Sequence, residues 1–184
     1  MKDYQLHDEN TAPAEAQPTL SQVKSNYGFI PNLHAVMAES PSLLKAYATI
    51  SQIFEETSFS HTEKQLILLE ISQENGCDYC VAAHSTVAQM KRVPAEVIEA
   101  LRDGRRLPDE KLEALRQFVH TIVVNRGHAT EAEIEAFLAA GYTRAQLFDV
   151  LVGVGMKTLS NYTNHIADTP LDAAFQPQVW KKAG

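Results

Sequence analysis

Three segments of this chain open with a Ser or Thr followed three residues later by Glu or Gln: Ser60-His-Thr-Glu63, Thr130-Glu-Ala-Glu133 and Thr143-Arg-Ala-Gln146. In such a capping box the hydroxyl accepts from the backbone N–H three residues on, while the longer side chain reaches back to the cap's own N–H. Each pattern therefore marks a helix start. Further starts come from Ser40-Pro41, ahead of LLKAYATISQIF, from Pro94, ahead of AEVIEALRD, and from Pro108. Proline at a first helical position is preset in φ and lacks an N–H that would go unpaired there. Asn75-Gly76, Gly104, Gly127 and Gly141 supply the stops. No segment alternates apolar and polar residues between hairpin turns, so strands have no support. The expected fold class is all-α.

At 184 residues the chain has the size of one domain and can bury a core without disulfides. Residues 1–26, rich in Pro, Gln and Ala, read as an N-terminal arm whose order depends on docking. Residues 27–177 read as one helical domain, and 178–184 as a tail. The formal charge is −7, and no Lys/Arg cluster exceeds Arg105-Arg106 or Lys181-Lys182, which argues against a nucleic-acid surface. The polar start MKDYQLHDEN and the short apolar stretch around Val150 to Met156 give no membrane segment, so a soluble, cytoplasmic protein is expected. A shift of 83 residues lays the box at Ser60 on that at Thr143, and Cys77-Asp-Tyr-Cys80 on Ser160-Asn-Tyr-Thr163. That match suggests an internal duplication, with units at about 40–91 and 128–170, in which the second unit carries structure and the first the chemistry.

Both cysteines fall in NGCDYCVAAH, residues 75–84. Asn75-Gly76 suits a break before a new helix at Cys77. At a helix N-terminus the dipole and unpaired N–H groups favour a thiolate, the reactive form of cysteine. Cys77, Cys80 and His84 stand at i, i+3 and i+7, on one face, with His84 leaning back toward Cys80 as its base. Residues three apart on a helix are within range of a disulfide. A closed zinc site wants a fourth ligand and a second ligand couple, and no second CxxC or HxxxH exists. Two inert buried cysteines are the plain alternative, and reversible dithiol chemistry is the reading that uses all three residues.

The stretch HTEKQLILLEISQENGCDYCVAAHS resembles the core motif of the alkylhydroperoxidase D-like branch of the carboxymuconolactone decarboxylase family: a glutamate, eleven residues, then CxxCxxxH. GFIPN, ESPSLLKAY, AAGYT and KTLSNYTNHIADTPLD extend the likeness from about Tyr27 to Pro177. The resemblance implies a compact helical fold, homo-oligomers, and a thiol-dependent peroxidase; no cofactor or metal is expected. In it Cys80 attacks a hydroperoxide, Cys77 resolves the product, His84 relays protons, and an external thiol or dithiol, the lipoyl type among them, restores both sulfurs. Two positions depart from the pattern. Gln65 stands where the family has its glutamate, and Tyr79 stands where a second relay histidine can occur, leaving it as a hydrogen-bond donor or as packing. Glu63 belongs to its capping box, and Glu70 points about 140° away from residue 65. Without the acid, a dithiol redox sensor or thiol-exchange protein is the alternative function. If His84 works alone, Gln65→Glu is expected to add an ionisation and raise turnover. His34 and His128 read as loop residues, and Met156, Phe148 and Leu151 have spacing suited to a core or a subunit interface, with core as the default.

Overall fold

A computed structural model describes residues 4–182. They form nine α-helices and a 3-10 turn: α1 Gln17–Tyr27, α2 Asn32–Met37, α3 Pro41–Glu55, α4 His61–Glu74, α5 Asp78–Met90, α6 Ala95–Arg102, α7 Glu110–Val124, α8 Glu131–Ala139, α9 Arg144–Ala167, and a 3-10 segment at Ala173–Gln178. All three capping boxes close as both halves, at Ser60/Glu63, Thr130/Glu133 and Thr143/Gln146. Ser40 caps α3 ahead of Pro41, and α7 takes its cap from Asp109, one residue after Pro108.

Helix α4 is the hub. Every residue from Glu63 to Ser72 is buried, so this helix has no solvent face and α5, α6, α7 and α9 pack around it. A helix apolar on one stripe would leave the rest exposed; LILLEIS is covered all round. At its end Gly76 takes φ +64°, a left-handed turn that costs glycine little, and the chain reverses into α5. Helix α3 lies against α9, and the α7–α8 corner is filled by Phe118, Phe137 and Tyr142, with Phe137 stacked on Tyr142 at 4.7 Å between ring centres.

The segment before Tyr27 docks on its own chain. Ala12, Ala16, Leu20 and Val23 are buried, and α1 packs on α2 and α3. After α9 the chain returns across α5, where Asp172 accepts from the first N–H of α2, at Asn32. Arg102 donates to the carbonyls of Gln178 and Val179 and accepts at its own carbonyl from the Trp180 indole. The shift that pairs the caps at Ser60 and Thr143 sets α4, broken at Gly76, against α9, which runs unbroken through the corresponding residues.

Candidate functional site

The break at Gly76 makes Cys77 the N-cap of α5, so Cys77, Cys80 and His84 follow one another along the first two turns. Facing them is α9. Val150, Gly153, Lys157, Ser160, Asn164 and Ala167 are all buried, at intervals of three and four that trace one inward stripe. The second unit was expected to carry structure alone; instead its long helix brings Lys157, Ser160 and Asn164 to the sulfurs.

Both cysteines are free and buried. The Asn164 amide donates to Cys80 Sγ at 3.2 Å and reaches Cys77 Sγ at 3.7 Å, and Ser160 Oγ lies 3.9 Å from Cys80 Sγ. Burial opposes ionisation of Cys80. The Cys77 thiol, which donates toward it, and the Lys157 ammonium outweigh that cost and hold Cys80 well below the usual thiol range. Cys77 moves the opposite way, because it donates to Cys80 and is itself buried. The two sulfurs are thus pushed in opposite directions, Cys80 toward the thiolate and Cys77 toward the thiol.

His84 does not turn to Cys80. Its Nε2 lies 2.9 Å from Lys157 Nζ and its Nδ1 lies 3.2 Å from Gln65 Oε1. An ammonium can only donate, so Nε2 is the acceptor, Nδ1 carries the proton, and the amide of Gln65 must present its oxygen. Lys157 thereby fixes both the tautomer and the amide orientation. Burial, and then the Lys157 charge, push the His84 imidazolium well below the usual histidine range. The ring is neutral at neutral pH, and neither of its nitrogens is turned to Cys80, where the helical spacing had placed it as a base.

Tyr79 is buried, and its hydroxyl donates to Asp172 Oδ2 at 2.5 Å while accepting from the Leu33 N–H at 3.2 Å. That hydroxyl ties α5 to the chain ends and is not directed at a reacting oxyanion; the ring remains as wall. With Tyr27, His34, Tyr47 and Phe175 it lines a pocket of about 60 Å³ that holds Cys80, His84 and Lys157. His34 sits in α2 and not in a loop, packed between Tyr27 and Tyr47, and burial lowers its pKa to about 4.

The nearby glutamates lie elsewhere. Glu63 closes its capping box, and Glu70 and Glu74 meet Arg116 and His120 on the α7 side of α4. Glu70, Glu74 and His120 are the group among the described residues whose ligand atoms fall within 4.8 Å of one another, as a cation would need. Arg116 already holds Glu70 at 3.1 Å. Of the residues around the sulfurs, sequence reasoning missed Lys157, Ser160 and Asn164. The three-and-four stripe in α9 was the available signal, with one lysine standing among its uncharged residues.

A model of the carboxymuconolactone decarboxylase family matches residues 41–119, from α3 into α7. No curated protein matches the chain. Among solved structures the chain is similar to the alkylhydroperoxidase AhpD core of a peroxidase-related protein from Ralstonia eutropha JMP134, with TM-score 0.83, 20% identity, and 95% of this chain and 94% of that one covered. It is also similar to a peroxidase-related protein from Silicibacter sp. TM1040, with TM-score 0.80, 19% identity and 96% of each covered. The debrominase Bmp8, in a cysteine-to-alanine variant bound to 2,3,4-tribromopyrrole, gives TM-score 0.80 at 17% identity over 97% of this chain and 96% of that one. These likenesses show the fold, an AhpD-like helical core.

Proposed function

We propose that this chain is a thiol-dependent peroxidase that cycles Cys77 and Cys80 between dithiol and disulfide. The observation that carries the reading is geometric: one Asn164 amide reaches both sulfurs, and Cys80 shares its pocket with the buried Lys157, whose charge favours the Cys80 thiolate. The Cys80 thiolate attacks the outer oxygen of a hydroperoxide and becomes a sulfenic acid, and Cys77 condenses with it, releasing water. An external dithiol then reduces the pair.

The pocket offers about 60 Å³ and opens to solvent on one side. That room suits a hydroperoxide group or the tip of a slender dithiol. Bmp8, a debrominase on the same fold, shows that the architecture carries other reactions. The sensor alternative is disfavoured by the same enclosure, since Cys77 and Cys80 are 1% and 2% exposed and out of reach of a folded partner's disulfide. Cys80→Ser is expected to abolish hydroperoxide consumption under a dithiol such as dithiothreitol, while Cys77→Ser keeps one stoichiometric reaction and loses turnover. Wild-type consumption by Cys80→Ser contradicts the assignment.

Self-association forms part of the proposal. Phe148, Leu151, Tyr162 and Ile166 stand 65%, 43%, 54% and 58% exposed along the outer face of α9, opposite its buried stripe. For Phe148 and Leu151 the default of a core position is corrected, the interface alternative remains, and a second copy is the occupant this face suits.

A further inference from the structure

The peroxidase reading leaves one proton without a donor. When a thiolate attacks ROOH the O–O bond breaks and RO⁻ departs, and an alkoxide born in a dry pocket needs a proton as it forms. Sequence reasoning gives this task to His84. Its geometry does not fit: Nε2 accepts from Lys157, and the one ring proton, on Nδ1, is directed at Gln65. Lys157 has protons to give. It is 0% exposed, lines the same pocket as Cys80 and His84, and uses one of its three N–H donors on His84.

We propose that Lys157 is the catalytic acid of this reaction, passing a proton from Nζ to the leaving oxygen, while His84 and Gln65 are positioning residues that fix where Nζ stands. The inference rests on the peroxidase reading. It also accounts for the amide at position 65: a neutral acceptor behind His84 keeps the proton on Lys157, whereas a carboxylate there would draw it onto the imidazole.

The cycle balances. Cys80–S⁻, ROOH and Lys157–NH₃⁺ give Cys80–SOH, ROH and Lys157–NH₂. Cys77–SH then attacks Cys80 Sγ, the S–O bond breaks, and the Cys77 proton leaves with the hydroxide as water. A dithiol reduces the disulfide with two electrons and brings two protons. One of these goes to Cys77 and the other to Lys157, which restores the thiolate–ammonium pair.

The test varies the leaving group. tert-Butyl hydroperoxide expels an alkoxide that needs the proton, and peracetic acid expels acetate, which does not. Oxidation of Cys80 by each is followed as thiol loss in single turnover, with the thiolate fraction of every protein measured by iodoacetamide alkylation and divided out. Lys157→Met, of similar length without a donor, is expected to lose about 100-fold or more with tert-butyl hydroperoxide and at least about 10-fold less than that with peracetic acid. Lys157→Arg keeps the cation but is a far weaker acid, and is expected to show the same selectivity with the fold retained. Gln65→Leu is expected to show it at about 10-fold, a selectivity that loss of packing would not produce. Equal losses on both oxidants in Lys157→Met, or wild-type rates on both in Lys157→Arg, overturn the assignment. The wild-type rate with tert-butyl hydroperoxide tests the peroxidase reading itself, and the ratio between oxidants tests Lys157.

Discussion

At the scale of single residues the site is governed by which groups can donate and which can accept. Lys157 has no acceptor, so it forces His84 Nε2 to accept, and that in turn makes Gln65 face the ring with its oxygen. This chain of consequences reverses an expectation drawn from sequence. With His84 as the sole base, Gln65→Glu was expected to raise turnover. With Lys157 present, a carboxylate at 65 strengthens His84 as a base, moves the proton from Lys157 to the ring, and adds a negative charge near the thiolate. A neighbouring anion raises a thiol pKa, so less thiolate is present at any pH below it. Gln65→Glu is therefore expected to slow peroxide turnover about tenfold at pH 7 and to move the pH midpoint of iodoacetamide alkylation of Cys80 upward. A faster variant with an unmoved midpoint would show that position 65 speaks to the sulfur by another route. Cys77, Cys80, His84 and Gln65 were legible because their spacing is local. Lys157 was not, because it lies 73 residues from His84 and nothing in one sequence shows that pairing.

At the scale of helices, starts and stops were the most legible feature, since capping boxes, prolines and glycines act within four residues of themselves. Helix α1 was less so: its buried set of Ala16, Leu20 and Val23 is small and sits among polar residues, and only docking on α2 and α3 gives it a reason to form. The inward stripe of α9 has a packing requirement at Gly153. A Cβ there would stand 2.9 Å from Ile67 Cγ2 and 3.0 Å from Phe54 Cε2, both on fully buried side chains. Overpacking of this kind costs about 1–3 kcal/mol, against which alanine regains up to about 1 kcal/mol of helix propensity. Gly153→Ala is expected to lower Tm by about 2–6 °C, measured by circular dichroism melting. At Gly155 the added carbon meets the tip of Ile50 at 3.1 Å, and the partly buried site can give. Gly155→Ala is expected to change Tm less, and equal losses at both sites would remove the distinction between a seam and a surface.

At the scale of the whole molecule, the chain ends close over the site. Asp172 joins Tyr79 of α5 to the start of α2, and the Lys182 ammonium donates to the Glu74 carbonyl. None of these ties was legible, since each links residues far apart in sequence through one polar contact. No helix among the described residues is long and apolar enough to cross a membrane. The exposed apolar residues of α9 extend over about 27 Å from Phe148 to Ile166, a length suited to a helix-to-helix contact with a second copy. Light scattering is expected to find an oligomer, and Phe148→Glu with Ile166→Glu to give a folded monomer; an unchanged mass in the double variant would place the interface elsewhere. The central claim concerns two sulfurs, and its most direct measurement is the mass of the Cys77–Cys80 peptide after one equivalent of cumene hydroperoxide, with no reductant present. The expected result is loss of two hydrogens in that peptide, both free thiols consumed and no cross-linked chains. Two free thiols remaining after the hydroperoxide has been mixed in would contradict the account.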